Sequence, residues 1–369
     1  MVYNWQQKDW PHFSYQLIDI EDDLYAFAEK AGRIRGMVQT LPKDAQMETI
    51  IDVLVSEAIK TSEIEGEYLN RKDVRSSLKN NLGLNSKLEP VNDARVGGVA
   101  ELMLQVRKTY KDPLTKESLI HWQNTLLRGR KDIQSGSWRT HEDPMQIISG
   151  ALGKQKVHFE APPSDMVPEE MKRFIEWFNA TAPQHGNDVK QGPIRSAIAH
   201  IYFESIHPFE DGNGRIGRAI SEKALSQSVG QPMLISLSRA IDENKKGYYE
   251  ALHKASLSNE LTHWIRYFVK IILKAQGQTE KQIEFTLKKA RLFDRYRDLL
   301  NDRQFIIIKR MLEEGPQGFE GGMNARKYVS LTKTSKATAT RDMQDLLEKG
   351  IFQLKGDAGG RSTAYELKL

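Results

Sequence analysis

Hydrophobic side chains recur at helical spacing along most of this chain. Residues 20–38 place Leu24, Phe27 and Ala31 on one face of a helix, and residues 45–59 carry a second apolar stripe of the same kind. Similar patterns predict further helices at residues 91–111, 114–127, 168–180, 198–206, 219–225, 261–274 and 279–300. The pattern therefore predicts a mostly α-helical protein.

Two short runs depart from this helical spacing and predict a β-hairpin. Residues 145–150 and 156–159 flank a glycine-bearing turn and read as strands. A lone hairpin is only marginally stable in water, so we expect it to pack against the helices. Its side chains include Ile147, Ile148, Val157 and His158.

The start of the chain is dense in aromatic side chains, namely Tyr3, Trp5, Trp10, Phe13 and Tyr15. Such side chains bury a large area when they pack together. They predict a packed N-terminal cap rather than a free tail.

The C-terminal part of the chain has the order of elements of a winged helix-turn-helix domain. Helical patterns at residues 305–312, 325–331 and 336–349 are followed by strand patterns at residues 351–354 and 363–367. In such a domain the third helix would enter a major groove of DNA.

The residues that would contact DNA are Lys336, Thr338, Thr340 and Arg341 on this helix, with Lys355 and Arg361 on the wing. Winged helices also serve as protein-docking or dimerisation modules. The pattern therefore leaves DNA and a protein partner, including a second copy of the chain, as equal alternatives.

Length and composition bound the class of protein. A chain of 369 residues with 39% hydrophobic and 28% charged residues is typical of a globular protein of two or three domains. No run of eighteen apolar residues occurs, and the N-terminus lacks the layout of a signal peptide, so we expect no membrane span and a cytoplasmic location. The absence of cysteine excludes disulfides, thiolate metal sites and cysteine nucleophiles.

The net charge of +5 lies mostly at the C-terminal end. Residues 321–369 hold nine Lys or Arg and five Asp or Glu, a net charge of +4. A basic module is compatible with nucleic acid binding, although such a count is also ordinary for a solvated surface.

The strongest candidate for chemistry is the stretch His-Pro-Phe-Glu-Asp-Gly-Asn-Gly-Arg-Ile-Gly-Arg at residues 207–218. It follows the apolar helix at residues 198–206 and runs directly into the next helix. Glycines let the backbone approach a ligand closely, and the free N–H groups at a helix N-terminus attract anions. The stretch therefore predicts a phosphate-binding loop.

The side chains of this stretch suit a nucleotide. Arg215 and Arg218 lie three residues apart on a helix, which suits phosphate oxygens. Asp211 suits Mg²⁺, which favours carboxylate and phosphate oxygens, and His207 suits a general base near neutral pH. Each element alone is more simply a turn or loop residue. Together they predict a nucleotide-dependent transferase.

A second polar stretch, at residues 61–66, ends the second predicted helix. Glu63, Glu65 and Glu67 lie near the C-terminus of that helix, where negative charge opposes the macrodipole, and Gly66 suits a C-cap. This cluster implies a basic partner elsewhere in the fold.

The stretch at residues 207–218 matches in full the signature His-x-Phe-x-(Asp/Glu)-Gly-Asn-Gly-Arg-x-x-Arg, and in this the chain resembles the Fic family. The resemblance implies a protein adenylyltransferase, which moves AMP from ATP to a Ser, Thr or Tyr hydroxyl of a target protein or of itself. It also implies a helical N-terminal domain at residues 1–90, a Fic-type helical core with a β-hairpin flap at 91–275, a helical connector at 276–300 and a winged helix-turn-helix domain at 301–369.

The resemblance assigns a role to each residue of the stretch. His207 would take the proton from the target hydroxyl, and Asp211 would hold Mg²⁺ on the α- and β-phosphates of ATP. The other nucleotide-binding residues would be Gly212, Asn213, Gly214, Arg215, Arg218 and, beside the adenine, Tyr249 or its neighbour Tyr248. The flap, with Ile147, Ile148, Val157 and His158, would pair its edge with the backbone of the target.

Residues 61–66 fit the family's inhibitory pattern (Ser/Thr)-x-x-x-Glu-(Gly/Asn) with Thr61, Glu65 and Gly66. By resemblance, Glu65 would pair with Arg218 and displace the γ-phosphate of ATP, which would inhibit the enzyme. Three alternatives stay open: removal of AMP with Glu65 orienting a water, transfer of another phosphate-containing group, and a DNA-binding regulator whose Fic core senses a nucleotide. The intact ATP-type motif favours adenylylation.

Overall fold

A computed structural model of the chain describes residues 2–17, 19–130, 132–149, 156–183, 191–355 and 363–369. The chain divides into two units. The first comprises residues 1–35 and 50–279, and the second comprises residues 36–49 and 280–369. The described residues are mostly α-helical, as the hydrophobic spacing predicted.

The N-terminal helices are α1 (Glu21–Gln39), α2 (Lys43–Ile64), α3 (Arg71–Asn81), α4 (Ala94–Lys108) and α5 (Lys116–Leu126). Asn70, Asp93 and Thr115 cap α3, α4 and α5 because their side-chain oxygens accept backbone N–H groups of the first turn. The apolar spacing did not predict α3, whose sequence is polar except for one valine and one leucine.

The predicted hairpin is formed by strands β1 (Gln146–Ser149) and β2 (Lys156–Glu160), which pair antiparallel. Ile148 lies opposite Val157, and the register shifts between Ile147 and Ile148. The turn that joins the strands, which includes Gly150, falls outside the described residues.

The aromatic N-terminal segment packs against this hairpin. Tyr3 and Ala161 form a buried cluster with Phe159 of β2, and Trp5 and Ile147 pack against it. The indole N–H of Trp5 donates a hydrogen bond to the carbonyl of the last β2 residue at 2.8 Å. The N-terminal cap that the aromatic residues predicted therefore supplies the packing that a lone hairpin lacks.

The centre of the first unit is built by α6 (Val167–Ala180), α7 (Gly192–Ile206), α8 (Asn213–Val229), α9 (Leu237–Asp242), α10 (Lys245–Ala255) and the part of α11 (Thr262–Tyr296) that precedes residue 280. Every residue of α7 is buried. Helices α7 and α8 cross closely, since Ser196 Oγ donates to the carbonyl of Ser221 at 2.9 Å. A Cβ atom on Gly217 would lie 2.6 Å from the Glu204 carboxylate, so the glycine permits this close crossing.

Helix α11 corrects the prediction of two separate helices at residues 261–274 and 279–300. It runs without interruption for 35 residues. The one glycine near the predicted break, Gly277, costs a helix only about 1 kcal/mol, and no proline accompanies it. No helix within the described ranges combines the length and the apolar character that a bilayer span needs.

The second unit contains α12 (Asp302–Glu313), α13 (Ala325–Thr332), α14 (Lys336–Glu348), β3 (Phe352–Leu354) and β4 (Tyr365–Leu367). Strands β3 and β4 pair antiparallel. These elements follow the order that the sequence pattern predicted for this region, and the assignment as a winged helix stays a prediction.

Helix α14 packs Ala339 and Met343 into the core of the second unit. Lys336, Thr340 and Arg341 of the same helix are exposed. Lys355, which follows β3, is also exposed. Residues 356–362, which include Arg361, fall outside the described residues.

Candidate active site

His207 ends α7 in a left-handed conformation. Its φ and ψ are 48° and 61°, and its backbone N–H donates to the carbonyl of Phe203 at 3.0 Å. Its side chain is only 12% exposed, and Nδ1 lies 3.7 Å from an oxygen of Glu204. Burial, together with the positive charge of Arg139, lowers the pKa of His207 to about 4. A neutral imidazole of this kind can accept a proton.

A buried arginine that the sequence did not single out holds the main chain at His207. Arg139 Nε donates to the carbonyl of His207 at 2.8 Å, and its backbone N–H donates to the carbonyl of Pro208 at 2.9 Å. Its other guanidinium nitrogens donate to Ser164 Oγ at 2.8 Å and to the carbonyl of Pro162. Arg139 therefore joins the segment that follows β2 to the end of α7.

The loop after His207 is fixed by Asn213, the first residue of α8. Asn213 Oδ1 accepts the backbone N–H of Phe209 at 3.0 Å, and its Nδ2 donates to the carbonyl of Phe209 at 2.8 Å. Gly212 has a φ of 90°, which glycine adopts easily. The loop thus turns sharply into α8, whose N-terminal N–H groups can bind an anion. Gly214 lies in the first turn of this helix.

The first arginine of the stretch is bound by two carboxylates. Arg215, with 3% of its side chain exposed, lies 2.9 Å from Glu67 and 3.3 Å from Asp211. Arg130 lies 3.6 Å from Glu67 and 3.7 Å from Asp211. The two arginines and two carboxylates form one cluster. The acidic cluster in the sequence implied a basic partner for Glu67 but did not identify Arg215 or Arg130.

The second arginine is bound by the end of α2. Arg218 Nη2 donates to Glu65 Oε1 at 2.8 Å and to the carbonyl of Thr61 at 3.0 Å, while Nε donates to Thr61 Oγ1 at 2.8 Å. Burial opposes the charge of Arg218, but Glu65, together with Tyr248 and Glu204, raises the pKa of Arg218 on balance. A Cβ atom on Gly214 would overlap the Glu65 carboxylate, so only glycine there admits it.

Helix α2 continues to Ile64, farther than the apolar spacing predicted, and therefore includes Thr61. Gly66 follows with a φ of 82°, as expected for a residue that ends a helix. Lys245 donates to the carbonyl of Ile64 at 2.5 Å. The acidic end of the helix thus has the basic partners that its charge implied.

The two tyrosines proposed for the adenine have different environments. Tyr248 is buried, and its hydroxyl lies 2.6 Å from Nε2 of His200, which stacks on Trp264 and Phe268. That tyrosine belongs to the core and presents no face to a ligand. Tyr249 is 39% exposed and stays the candidate of the pair.

The flap residues are divided between the core and the surface. Ile147 packs against the cluster of Tyr3 and Phe159, whereas Val157 is exposed. His158 is half-buried and makes contacts of its own. The side chain of Ile148 falls outside the described part of the chain.

Asp211 suits a metal ion that takes most of its ligands from elsewhere. Its Oδ1 accepts the N–H of Gly212 at 2.6 Å, and its side chain is 32% exposed. Among the described residues, no group of three or more His, Cys, Asp or Glu side chains could form a complete metal site. One carboxylate with phosphate and water oxygens is the set that Mg²⁺ commonly uses beside a nucleotide.

Two family models match this chain. The model of the Fic/DOC family matches residues 113–225, which include the loop and most of α8. A model described as a domain of unknown function, DUF4172, matches residues 3–84, which include Thr61, Glu65 and Glu67.

The chain is also similar to curated proteins. It is 24% identical to protein adenylyltransferase fic-1 of Caenorhabditis elegans over 213 residues. The matched region covers 57% of this chain and 38% of that protein. It is 26% identical to protein adenylyltransferase Fic of Drosophila melanogaster over 226 residues. This matched region covers 61% of this chain and 40% of that protein. The chain thus spans about two fifths of the length of these relatives.

Solved structures share the fold. A Fic family protein from Desulfovibrio desulfuricans G20 superposes with a TM-score of 0.52 at 18% identity, covering 94% of this chain and 96% of that one. A Fic domain containing signaling protein from Bacteroides thetaiotaomicron gives a TM-score of 0.52 at 18% identity, covering 73% of this chain and 97% of that one.

Proposed function

Because residues 113–225 of this chain are a Fic/DOC family domain, we propose that the protein transfers AMP from ATP to a Ser, Thr or Tyr hydroxyl of a target protein or of itself. The observation that carries this proposal is the convergence of three groups. A buried neutral histidine ends α7, a tight loop enters the N-terminus of α8, and two arginines follow on that helix.

The chemical step needs a base and an in-line displacement. The hydroxyl oxygen attacks the α-phosphorus of ATP and forms the new O–P bond, while the bond to the β-phosphate oxygen breaks and pyrophosphate leaves. His207 Nε2 takes the hydroxyl proton. The pKa of His207 is lowered by burial to about 4, so its neutral form predominates at neutral pH.

The phosphates are bound by the loop and by α8. Asn213 and Gly214 present N–H groups at the helix N-terminus, where the dipole favours negative charge. The N–H of Gly212 joins them when Asp211 releases it. Arg215 and Arg218 neutralise the β- and γ-phosphates, which is the main catalytic need of such transfers. Tyr249, exposed near the start of α10, flanks the adenine.

Asp211 is the residue that would hold Mg²⁺. The ion would neutralise charge on the α- and β-phosphates when it is bound there. Binding requires that Asp211 exchange its contact with Arg215 for the metal, while Arg215 turns to the nucleotide.

The end of α2 keeps the enzyme inactive. Glu65 occupies Arg218, so that arginine is not available to the γ-phosphate. Release of Glu65 would free the arginine and permit productive ATP binding.

The hairpin and the second unit are the parts of the protein that bind macromolecular partners. The edge of the flap, near the exposed Val157, pairs with the backbone of the target by strand addition. The exposed basic side chains of α14 bind DNA phosphates or a second protein.

Radiolabelled ATP tests the proposal. With α-³²P-ATP, the Glu65→Gly variant is expected to label itself or proteins of a lysate, and Glu65→Gly combined with His207→Ala is expected to label nothing. With γ-³²P-ATP no label should be transferred, since AMP carries only the α-phosphate. Labelling by γ-³²P-ATP, or no labelling from either nucleotide, would overturn adenylylation.

A further inference from the structure

Two buried polar groups face each other across one turn of α7. Glu204 lies three residues before His207, and its Oε2 is 3.7 Å from His207 Nδ1. The two side chains are 7% and 12% exposed. Gly217 of α8 covers the other carboxylate oxygen, because a Cβ atom there would lie 2.6 Å from Oε1. The carboxylate is thus enclosed between two helices beside the proposed base.

Neither group has an alternative side-chain partner. Within the described part of the chain, Glu204 Oε1 and His207 Nδ1 are buried atoms without a hydrogen bond. The main-chain carbonyl of Glu204 also faces the imidazole and favours its charged form, although no hydrogen bond of normal geometry joins them. Burial of a carboxylate costs several kcal/mol, so the charged form of Glu204 is favoured only where a proton donor such as the Nδ1–H of His207 faces it.

We infer that Glu204 is a positioning residue for His207, whose carboxylate accepts the Nδ1 proton and leaves Nε2 free to act as the base. The inference rests on the proposed function. After Nε2 takes the hydroxyl proton, the carboxylate also stabilises the imidazolium that forms, in the same way that a carboxylate supports the histidine of a hydrolase triad.

The protonation of Glu204 then controls the base. A protonated carboxyl would donate to Nδ1 instead, and the proton of the neutral ring would sit on Nε2, where it blocks catalysis. Burial, followed by the charge of Glu65, raises the pKa of Glu204 to about 8, while Arg218 lowers it. The rate should therefore rise with pH through the pKa of Glu204. Because the charge of Glu65 raises the pKa of Glu204, removal of Glu65 should lower that pKa and shift the rise in rate to lower pH.

The charged and titratable groups that face this pair come from several elements. Around Glu204 and His207 these groups are Glu65, Arg139, His200, Asp211, Arg218 and Tyr248, and His200 borders Gly217 beside the Glu204 carboxylate with its pKa lowered by burial. Arg139 and Arg218 stay charged throughout the neutral range, so they do not produce a rise of rate near neutral pH.

The test compares Glu204→Gln with Glu222→Gln, both in the Glu65→Gly background. Glu222 is the matched control, since it is equally buried at 7% exposure and burial also raises its pKa to about 8, but it lies on α8 and faces Arg107. Transfer from α-³²P-ATP is measured across pH, together with the dissociation constant for ATP. Thermal melting shows whether each variant is folded.

Glu204→Gln is expected to lower the transfer rate by on the order of tenfold or more, to abolish its rise with pH and to leave ATP affinity unchanged. Glu222→Gln is expected to keep the rise with pH. Glu204→Asp, which retains the charge, is expected to recover part of the rate together with the pH dependence. A Glu204→Gln variant with the rate and pH profile of its parent would overturn the inference.

The tautomer of His207 gives a measurement that does not depend on how Glu204→Gln folds. In ¹⁵N-histidine-labelled Glu65→Gly protein above the pKa of Glu204, the His207 signal, assigned with His207→Ala, is expected to show a proton on Nδ1. A proton on Nε2 would also overturn the inference. If Glu65→Gly protein transfers no AMP at all, the proposed function itself fails. That outcome differs from an unchanged Glu204→Gln variant and from a proton on Nε2, which overturn only the role of Glu204.

Discussion

Glu65 and Arg218 are joined by a hydrogen-bonded ion pair of 2.8 Å, although 153 residues separate them along the chain. Thr61, one helical turn before Glu65, accepts two further hydrogen bonds from the same guanidinium. Only 2% of the Arg218 side chain is exposed, so the pair is screened little by solvent and salt. Under the proposed function, ATP would have to compete with a preformed partner for this arginine.

Glu65→Gly should raise the rate of AMP transfer. A coupling of about 1–3 kcal/mol between an inhibitory contact and a ligand corresponds to a change of roughly 5–150-fold, and we expect an increase within that range. The measurement is incorporation from α-³²P-ATP at fixed time points. Glu63→Gln is a matched control, since Glu63 pairs with Lys60 at 2.5 Å and makes no contact with Arg218. Equal rates for wild type and Glu65→Gly would remove the inhibitory role.

Glu67→Gln should activate the enzyme to a smaller extent. Glu67 holds Arg215 at 2.9 Å, and Arg130 also faces it, so its removal frees the first arginine of the loop. Asp211 still lies 3.3 Å from Arg215, which retains part of the constraint. We expect a lower KM for ATP, which is measured from the transfer rate at a series of ATP concentrations. An unchanged KM would show that the cluster of Glu67 is only structural.

His207→Ala should separate binding from chemistry. General base catalysis contributes about 10²–10⁴-fold, so the transfer rate in the Glu65→Gly background is expected to fall by at least that lower factor. The loop and the arginines are untouched, so the dissociation constant for ATP, from calorimetry, should stay within about twofold of its parent. Retained transfer would exclude His207 as the base.

Arg139→Ala should destabilise the first unit. Its guanidinium donates to three carbonyls and one hydroxyl, and these buried acceptors would lose that donor. Each hydrogen bond to a charged group contributes about 1.5–3 kcal/mol, so we expect a loss on the order of 3 kcal/mol or more in the free energy of unfolding. Urea unfolding followed by tryptophan fluorescence reports this unit, since all six tryptophans precede residue 280.

Arg173→Ala is the control for that measurement. Arg173 is 49% exposed and pairs with the exposed Glu169 at 3.5 Å and with the buried Glu170 at 3.3 Å. Without Arg173, Glu170 still accepts the indole N–H of Trp10 at 2.8 Å. A solvent-exposed pair contributes at most about 1 kcal/mol, so the loss should be small. Similar losses for Arg139→Ala and Arg173→Ala would contradict the assigned role of Arg139.

The loop and its two flanking helices could be predicted from the sequence because their determinants are local. A mainly apolar run gives the buried helix α7, and the glycines and Asn213 mark the turn into α8. The contact of Glu65 with Arg218 was expected from the resemblance of two short motifs. Neither motif states how far α2 extends, and the helix reaches Ile64.

The remaining parts of the site depend on contacts that no local pattern contains. Glu67 meets Arg215 across 148 residues, and Arg139 meets the carbonyl of His207 across 68 residues. A single charged residue in a loop looks like a surface residue until the fold buries it. The two helices predicted in place of α11 show the opposite error, since the glycine there does not end a helix that tertiary packing supports.

DNA binding by the second unit is the last prediction. The exposed Lys336 and Arg341 lie in the first half of α14, and each would neutralise one phosphate if this helix enters a groove. The slope of log affinity against log salt falls by about 0.9 for each phosphate contact removed, so Lys336→Ala with Arg341→Ala should lower the slope by about 1.8. Fluorescence anisotropy with a labelled duplex at several salt concentrations measures this slope.

Lys309→Ala is the control for the DNA experiment, because Lys309 is an exposed lysine on α12 and the charge change is of the same kind. It should leave the slope nearly unchanged. If the wild type binds no DNA at low salt, DNA binding by α14 is excluded and the alternative of a protein partner is tested next. Light scattering of wild type and the double variant would then show whether that partner is a second copy of the chain, since loss of the two cations should dissociate such a dimer.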